Sequence, residues 1–387
     1  MGKKVLILGG DGYLGWPTAM HFSGKGHDVT VVDSFLKRKW EMEWGVQPLI
    51  PISPLHLRVR AWNEISGKTI TMIVGDLTND RFVFKLLERE RPDVIVHYAE
   101  QPSAPFSMAG RSQAVTTQVN NIVGTLNLLF ATKRHCPDAH LIKLGTMGEY
   151  GTPNIDIEEG FITIEHNGRS DTVPFPKQPF SFYHLSKVHD SHNIQFACKV
   201  WGLRASDLNQ GIVYGMDTPE TRLDPRLCTS FHYDEIFGTV LNRFCVQAVA
   251  NEPLTVYGKG GQRRGYLNII DTLQCVELTA ENPAKTGEYR VFNQFTEVFS
   301  INELAQIVQE VAAQHGIKVT IEHLSNPRIE KDDHYYNPSN NKLRELGLQS
   351  HKISEVLLKE IIGKTFRSKD AIDHHIIRPT IKWRLDS

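Results

Sequence analysis

A tyrosine and a lysine stand four residues apart in the segment Tyr183-His184-Leu185-Ser186-Lys187. On a helix, this spacing puts both side chains on one face. Phenol is a poor base at its usual pKa of about 10, and a neighbouring ammonium favours the phenolate. The pair can therefore take the proton of a hydroxyl group while a hydride leaves the same carbon. Thr146, which ends an upstream apolar run, can hydrogen-bond that hydroxyl, although a threonine there can also cap a turn.

A glycine-rich loop follows the first apolar run of the chain. Gly9, Gly12 and Gly15 satisfy G-x-x-G-x-x-G between that run and a helical pattern. Glycine lets the backbone turn sharply and approach a pyrophosphate, whose charge the N–H groups at a helix N-terminus bind. The loop therefore predicts a dinucleotide site, with Tyr13 and Leu14 of the same loop among its contacts.

The ends of the next two strands indicate which dinucleotide binds. Asp33 lies 18 residues beyond the last glycine of the loop, where a carboxylate accepts hydrogen bonds from the adenosine ribose. The same carboxylate would repel a 2′-phosphate, so NAD is favoured over NADP, while Lys37 and Arg38 nearby soften this preference. After the third strand, Asp76 and Leu77 are expected to contact adenine, although Asp76 could instead cap the next helix.

The elements that must position these residues alternate between short β-branched runs and helical patterns. Continuous apolar runs are typical of parallel strands covered on both faces, and strand–helix alternation implies right-handed crossovers. We predict an α/β fold: a Rossmann-type doubly wound parallel sheet in residues 1–213 and a smaller C-terminal α/β substrate-binding lobe in residues 214–387, with interleaved boundaries. The predicted strands are 5–8, 29–32, 70–74, 94–97, 141–144, 254–257, 265–270 and 289–292. The predicted helices are 81–91, 115–135, 272–281 and 301–315, and residues 34–68 and 151–179 are predicted to be long functional loops.

The composition is that of an ordinary globular protein of 387 residues, 40% hydrophobic and 22% charged. Lys and Arg number 43 against 44 for Asp and Glu, so no net field recruits nucleic acid or an anionic membrane. No apolar run is long enough to span a bilayer. The five scattered cysteines and the apolar run close to Met1 lead us to expect a cytoplasmic protein with reduced thiols and no bound metal.

Taken together, the glycine loop, Asp33, Thr146, Tyr183 and Lys187 resemble the extended short-chain dehydrogenases/reductases, which include UDP-glucose 4-epimerases and dTDP-glucose 4,6-dehydratases. Longer strings are more specific and resemble the UDP-sulfoquinovose synthases: Thr146–Gly160, Phe182–Asn193, Asp207–Gly215, Tyr257–Asp271 and Phe292–Thr296. The similarity runs from about Lys4 to Leu358. It implies an NAD enzyme that joins sulfite to C6 of UDP-glucose, and a homodimer or higher homo-oligomer.

The chemistry implied by this resemblance needs an acid or base besides Tyr183. Oxidation at C4 acidifies the C5 proton, water leaves C6, the resulting enone accepts sulfite, and hydride returns to C4. The 4,6-dehydratases carry an Asp-Glu pair directly after the threonine, where this chain has Met147-Gly148. We therefore predict that Glu149 is the acid/base, that His184 is its partner or a donor to sulfite, and that Met147 forms an apolar wall beside the hexose.

Family likeness also implies the substrate contacts. Arg264 and Arg328 are expected to clamp the diphosphate and Gln210 to face the sugar, although the loop that carries Arg264 could be a solvated basic hairpin. The predicted substrate contacts are Thr146, Met147, Tyr183, Gln210, Tyr257, Lys259, Arg264 and Arg328. At Pro102 the chain departs from the plant-type pattern, which has an arginine there.

Two alternatives stay open at this point. The first is a UDP-hexose 4-epimerase or nucleotide-sugar 4,6-dehydratase, against which Met147-Gly148-Glu149 argues because an epimerase needs no third acid/base and the dehydratase pair is absent. The second is a non-catalytic NAD-sensing binding protein. Such proteins typically lose the tyrosine or the lysine, and both are present here.

Overall fold

The computed structural model describes residues 2–326, 334–378 and 383. Within these ranges the strands are β1 (Lys4–Leu8), β2 (Asp28–Asp33), β3 (Ile70–Val74), β4 (Val94–His97), β5 (His140–Thr146), β6 (Phe161–His166), β7 (Arg169–Pro174), β8 (Arg204–Gln210), β9 (Ile212–Tyr214), β10 (Leu254–Tyr257), β11 (Arg263–Asn268), β12 (Tyr289–Gln294), β13 (Glu297–Ser300) and β14 (Ile321–Leu324). The α-helices are α1 (Gly15–Gly24), α2 (Leu36–Trp44), α3 (Leu55–Ser66), α4 (Asp80–Glu90), α5 (Ala104–Met108), α6 (Arg111–Gln118), α7 (Gly124–His135), α8 (Phe182–Trp201), α9 (Val240–Val249), α10 (Ile269–Glu281), α11 (Ile301–Gln314), α12 (Asn341–Glu345) and α13 (Glu355–Arg367).

A seven-stranded sheet forms the centre of the larger part, in the order β12-β8-β5-β4-β1-β2-β3. Every neighbouring pair in it is parallel. The chain proceeds outward from β1 in one direction and then starts again from β1 in the other. At such a switch point the carboxyl ends of the strands form a crevice that binds ligands. The predicted doubly wound α/β fold is confirmed.

Helices cover both faces of this sheet. On one face, Val276 of α10 packs in the same core cluster as Trp16 and Met20 of α1 and Phe292 of β12. On the other face, leucines of α4 and α7 pack with Ile194 of α8. The central strands β1 and β4 carry continuous apolar runs because both of their faces are buried, which is why their sequence lacks alternation.

The strand predicted at 289–292 lies in the large sheet, since β12 pairs with β8 over its whole length. Part of the chain beyond residue 213 therefore completes the dinucleotide-binding sheet. The division into domains at that residue stays a prediction with interleaved boundaries.

The smaller part holds two short sheets, β13-β11-β9 and β10-β14. Helices α9, α11 and α13 enclose a separate core with β10, to which Leu241, Phe244, Val308 and Ile361 contribute. No helix of the described ranges has the length and apolar character needed to cross a membrane.

The two segments predicted as long loops contain regular structure. Residues 34–68 fold into α2 and α3, which end at Gly45 and Gly67 in the left-handed conformation, with φ of 61° and 68°. Residues 151–179 contain the antiparallel hairpin β6–β7. Trp40 and Trp62 are buried, so the aromatic residues of the first segment hold its helices against the protein.

Candidate active site

The glycine loop between β1 and α1 leaves room only for backbone. Gly9 has φ of 90°, in the region that favours glycine, and a Cβ there would lie 2.9 Å from the backbone at Tyr98 and Ala99. A Cβ at Gly15 would overlap the carbonyl oxygen of Gly9. Gly9, Gly12, Tyr13, Leu14 and Gly15 all line one cavity. The bare backbone at the N-terminus of α1 fits the pyrophosphate of NAD.

Asp33 ends β2 and lines the same cavity. Its two carboxylate oxygens accept the backbone N–H groups of Asp11 at 2.8 Å and Phe35 at 2.7 Å. Burial raises the pKa of the Asp33 carboxyl, and these two hydrogen bonds counter the rise. Each oxygen keeps a lone pair that can accept a ribose hydroxyl. Asp76 and Leu77 line the cavity further along.

Lys37 and Arg38 also line the cavity, but carboxylates hold both of them. Arg38 donates to the two carboxylate oxygens of Asp11 at 2.6 and 3.0 Å. Lys37 pairs with Glu41 and lies 2.8 Å from Nε2 of His232. A 2′-phosphate would have to compete with these partners for Lys37 and Arg38. The two cations therefore weaken the preference for NAD over NADP less than the sequence indicated.

Thr146, Tyr183 and Lys187 line the end of this cavity near the carboxyl ends of β4 and β5. Ser181 caps the N-terminus of α8, which carries the tyrosine and the lysine on one face. Nζ of Lys187 donates to the Leu144 carbonyl at 2.6 Å and lies 5.9 Å from the centre of the Tyr183 ring. Burial raises the pKa of Tyr183, and Lys187 only partly offsets this rise. The protein alone therefore does not favour the phenolate as the sequence predicted, because the hydroxyl is buried.

Glu149 does not line either cavity that contains the other predicted catalytic residues. It is fully buried behind Thr146, where Oε1 accepts from Nζ of Lys143 at 3.2 Å and Oε2 accepts from Lys177 and from Ser191 at 2.8 Å. Burial would raise the pKa of Glu149, but Lys143 and Lys177 hold it well below its usual range. A permanently ionised carboxylate away from the cavity argues against the predicted acid/base role.

His184 lies against the turn that follows Thr146, where a Cβ at Gly148 would overlap the imidazole. Its Nδ1 is 2.9 Å from Oγ of Ser181, and that oxygen also accepts the backbone N–H of His184. The hydroxyl group of Ser181 can donate its proton to Nδ1. A neutral ring that accepts at Nδ1 carries its own proton on Nε2. His184 lines a second cavity, so its imidazole can meet a substrate there.

The second cavity joins the first and extends over the smaller part of the protein. Thr146, Tyr183, Gln210 and Pro102 line both cavities, which marks where cofactor and substrate would meet. Met147, Tyr257 and Arg264 line the second cavity only, while Lys259 is exposed and lines neither. Arg328 lies outside the described residues.

Sequence reasoning missed Arg243, which stands in the first turn of α9 and lines the second cavity. Its side chain is buried, and its Nε has no hydrogen-bond partner within the described ranges. A buried guanidinium with an unused donor suits an anionic ligand. The signal was a single cation inside the otherwise uncharged helical run Val240–Val249.

Comparisons with known proteins agree with this geometry. Residues 5–293 match the NAD dependent epimerase/dehydratase family. The chain is 54% identical to the chloroplastic UDP-sulfoquinovose synthase of Spinacia oleracea, over 99% of this chain and 79% of that protein. It is 41% identical to the UDP-sulfoquinovose synthase of Sulfolobus acidocaldarius, over 98% of both proteins. A crystal structure of UDP-glucose 4-epimerase with UDP-glucose from Thermotoga maritima has the same fold, with a TM-score of 0.68 at 20% identity over 94% of this chain and 98% of that one.

Proposed function

The chain belongs to the NAD-dependent epimerase/dehydratase family and, within it, to the UDP-sulfoquinovose synthases, and from this membership we propose how its residues divide the reaction. The proposed substrates are UDP-glucose and sulfite. In the reaction the C6–O bond of the glucose breaks, water leaves, and a C6–S bond to sulfite forms. The NAD cofactor is regenerated within each turnover.

The observation that carries this proposal is the junction of the two cavities. Thr146, Tyr183 and Gln210 line both, so a sugar at the junction lies beside the catalytic pair and against the dinucleotide site. Bound NAD would supply a reversible hydride acceptor for C4 of the sugar. Thr146 hydrogen-bonds the C4 hydroxyl, and Tyr183 takes its proton and later gives it back.

We assign the acid/base work at C5 and C6 to His184 rather than to Glu149. The imidazole lines the second cavity against Gly148, while the Glu149 carboxylate is sequestered by two lysines. An imidazole takes and gives protons near neutral pH. Met147, which is buried at the wall of the same cavity, limits the water that reaches the hexose.

Arg243 and Arg264 are the cations we propose for the diphosphate. Both line the second cavity, and the N-terminal turn of α9 adds backbone N–H groups beside Arg243. Arg328, the other arginine predicted for this role, stays a prediction.

Single-turnover product analysis in heavy water tests the proposal. The holoenzyme is incubated with UDP-glucose with and without sulfite, and products are read by mass spectrometry. Sulfite-dependent formation of a UDP-sulfosugar, with deuterium entering C5 in its absence, is the expected result. A 4-epimer without C5 deuterium would mean an epimerase, and a 6-deoxy-4-keto product would mean a 4,6-dehydratase.

The proposal extends to assembly and compartment. Helices α6, α7 and α8 expose apolar side chains that suit a homodimer, including Val115, Phe130 and Phe196. All five cysteines are free thiols, and four of them are buried. This is compatible with a reducing compartment such as the cytoplasm.

A further inference from the structure

A cluster of buried ionisable side chains lies behind the catalytic pair. Oε2 of Glu100 is 2.6 Å from Nζ of Lys187, and both side chains are almost fully buried. Oε1 of Glu100 lies 3.5 Å from Nε2 of His97. Asp190, one helical turn beyond Lys187, is also buried. Apart from Lys187, none of the predicted site residues belongs to this cluster.

We propose that Glu100 is a positioning residue for the catalytic pair: it holds the Lys187 ammonium and offsets part of its charge, so that Tyr183 can return a proton as well as take one. This inference rests on the proposed role of Tyr183 in the reaction. It adds a residue that the sequence pattern of Tyr183 and Lys187 does not contain.

The geometry leaves Lys187 with one N–H group for the cavity. An ammonium has three donors, of which one goes to the Leu144 carbonyl and one faces Glu100. Nζ of Lys187 and Oε2 of Glu100 are 2.6 Å apart, so the contact is a short ion pair between buried side chains. Such a pair is strong in a site of low dielectric.

The other groups that face Glu100 and Tyr183 leave Glu100 as the nearest counter-charge of Lys187. Burial lowers the pKa of His97 on β4 to about 4, so His97 is neutral at pH 7. Burial raises the pKa of Asp190 well above its usual value, which favours the protonated acid. Lys143 of β5 is shared between Glu149 and Asp207.

A reaction without net oxidation explains why such an offset is useful. Tyr183 must be ionised when C4 loses its hydride and protonated when the hydride returns. Without Glu100, the ammonium would offset more of the rise that burial causes in the Tyr183 pKa, which favours the phenolate and slows the return step. A carboxylate against the ammonium brings the two protonation states closer in free energy.

Spectroscopic titration of tyrosinate in the NAD-loaded holoenzyme tests this role. The chain has 11 tyrosines, so each protein is compared with its Tyr183→Phe version and the difference reports Tyr183 alone. Glu100→Gln keeps the shape but removes the charge, and we expect the Tyr183 midpoint to fall by about one pH unit. The pH profile of C4 oxidation should move in the same direction.

Two further variants fix the interpretation. Glu159→Gln removes another buried carboxylate, which lies 4.0 Å from Nζ of Lys342 and lines neither cavity, and it should leave the midpoint unchanged. Glu100→Asp moves the charge back by one methylene and should lower the Tyr183 midpoint by less than Glu100→Gln does. This variant also tests the role of Glu100 if Glu100→Gln does not fold. An unmoved midpoint in the Glu100 variants would overturn the role of Glu100 alone. If the Tyr183→Phe version oxidises C4 at the unmodified rate, the proposed base fails and this inference fails with it.

Discussion

Lys187 and Lys143 are both buried cations, and their partners give them different roles. Lys187 faces the cavity with one carboxylate behind it, whereas Lys143 is enclosed by Glu149, Asp207 and Ser191. The first can respond to a ligand, and the second is committed to the interior. We call Tyr183 and Lys187 the functional pair, and Lys143 with Glu149, Asp207 and Ser191 the structural cluster.

The functional pair gives the first prediction. Tyr183→Phe and Lys187→Ala should each lower single-turnover oxidation at C4 by about 10²- to 10⁴-fold, because the positioned base or its cation is lost. The affinity for UDP-glucose should change little, since the diphosphate contacts that we propose, Arg243 and Arg264, are untouched. Rapid-quench kinetics and calorimetry measure the two quantities. Near-normal oxidation by Tyr183→Phe would mean that another group takes the proton.

A second prediction concerns the space between the Thr146 turn and His184. Gly148→Ala adds a Cβ that overlaps the imidazole, so His184 must move away from the sugar. Deuterium exchange at C5 should fall about 10²-fold or more, while oxidation at C4 should persist. Gly24→Ala is the matched control, because a Cβ there meets nothing closer than 3.9 Å. Equal exchange rates in the two variants would remove His184 from the acid/base role.

The structural cluster gives a third prediction. Glu149→Gln removes the ion-pair partner of Lys177 and leaves Lys143 with Asp207 alone, and we expect it to cost about 3 kcal/mol of unfolding free energy. Glu158→Gln, on an exposed neighbour, should cost almost nothing. Urea unfolding followed by fluorescence compares the two. A stable Glu149→Gln protein that had lost C5 exchange would restore the role predicted from the sequence.

The position of Glu149 shows what sequence adjacency cannot give, and its acid/base role stays a prediction. The residue follows the strand that ends at Thr146, but a 3-10 turn begins there and directs the carboxylate back to the N–H of Thr146 at 3.3 Å. The side-chain direction depends on that turn and not on spacing alone. A clue was nevertheless present: Lys143 lies inside an otherwise apolar strand, and a buried cation requires carboxylates near it.

At the scale of elements, continuous apolar runs located β1 to β5, because burial leaves a strong signal in their sequence. The central strand β8 was missed, because its sequence RASDLNQ is mostly polar although it is largely buried. Helices α2 and α3 were not recognised. The sequence of α2 is mostly charged, and α3 follows a segment with three prolines, so local propensity was weak. Tertiary contacts stabilise both helices: Trp40 packs against Phe106, and Arg58 pairs with Asp11.

One contact between elements carries a fourth prediction. His21 of α1 lies 3.0 Å from Glu220 and 3.0 Å from Glu277 of α10. Burial would lower the pKa of His21, but the two carboxylates outweigh it and raise the pKa to about 9. The folded pKa is above the unfolded one, so this stabilisation is complete below about pH 6.5 and lost as pH rises through about 9.

His21→Gln tests this pH dependence. Between about pH 6.5 and 9, the unfolding free energy of the unmodified protein should fall relative to that of His21→Gln, by at most about 3 kcal/mol. His56→Gln, which changes a histidine on the exposed side of α3, is the control. Urea unfolding across this pH range gives both curves. Parallel curves for His21→Gln and the unmodified protein would show that the two carboxylates do not bind a charged imidazole.

At the scale of the whole molecule, the exposed apolar side chains lie on adjacent helices. Val115 of α6 and Val119 and Val123 of the π-helical turn that follows it stand four residues apart, and Phe196 and Val200 stand four apart on α8. This spacing places each set on one helix face. We call these five residues the apolar stripe. Helices α6 and α8 pack against each other, so the two sets can form one continuous surface.

A homodimer built on the apolar stripe is the last prediction. A stable interface buries about 800 Å² per partner with an apolar centre, and a charge placed there without a counter-charge is costly. Phe196 is 62% exposed, so Phe196→Glu should fold normally and still separate the dimer. Met42→Glu, at a residue 78% exposed on α2, is the matched control and should remain dimeric. Sedimentation equilibrium should give about twice 43.9 kDa for the unmodified protein and the control, and a single chain for Phe196→Glu. Dimer formation stabilises the folded chain by mass action. The thermal midpoint of the dimer should therefore rise with protein concentration, and that of Phe196→Glu should not. A monomeric unmodified protein, or a dimeric Phe196→Glu, would show that copies of the chain do not meet at the apolar stripe.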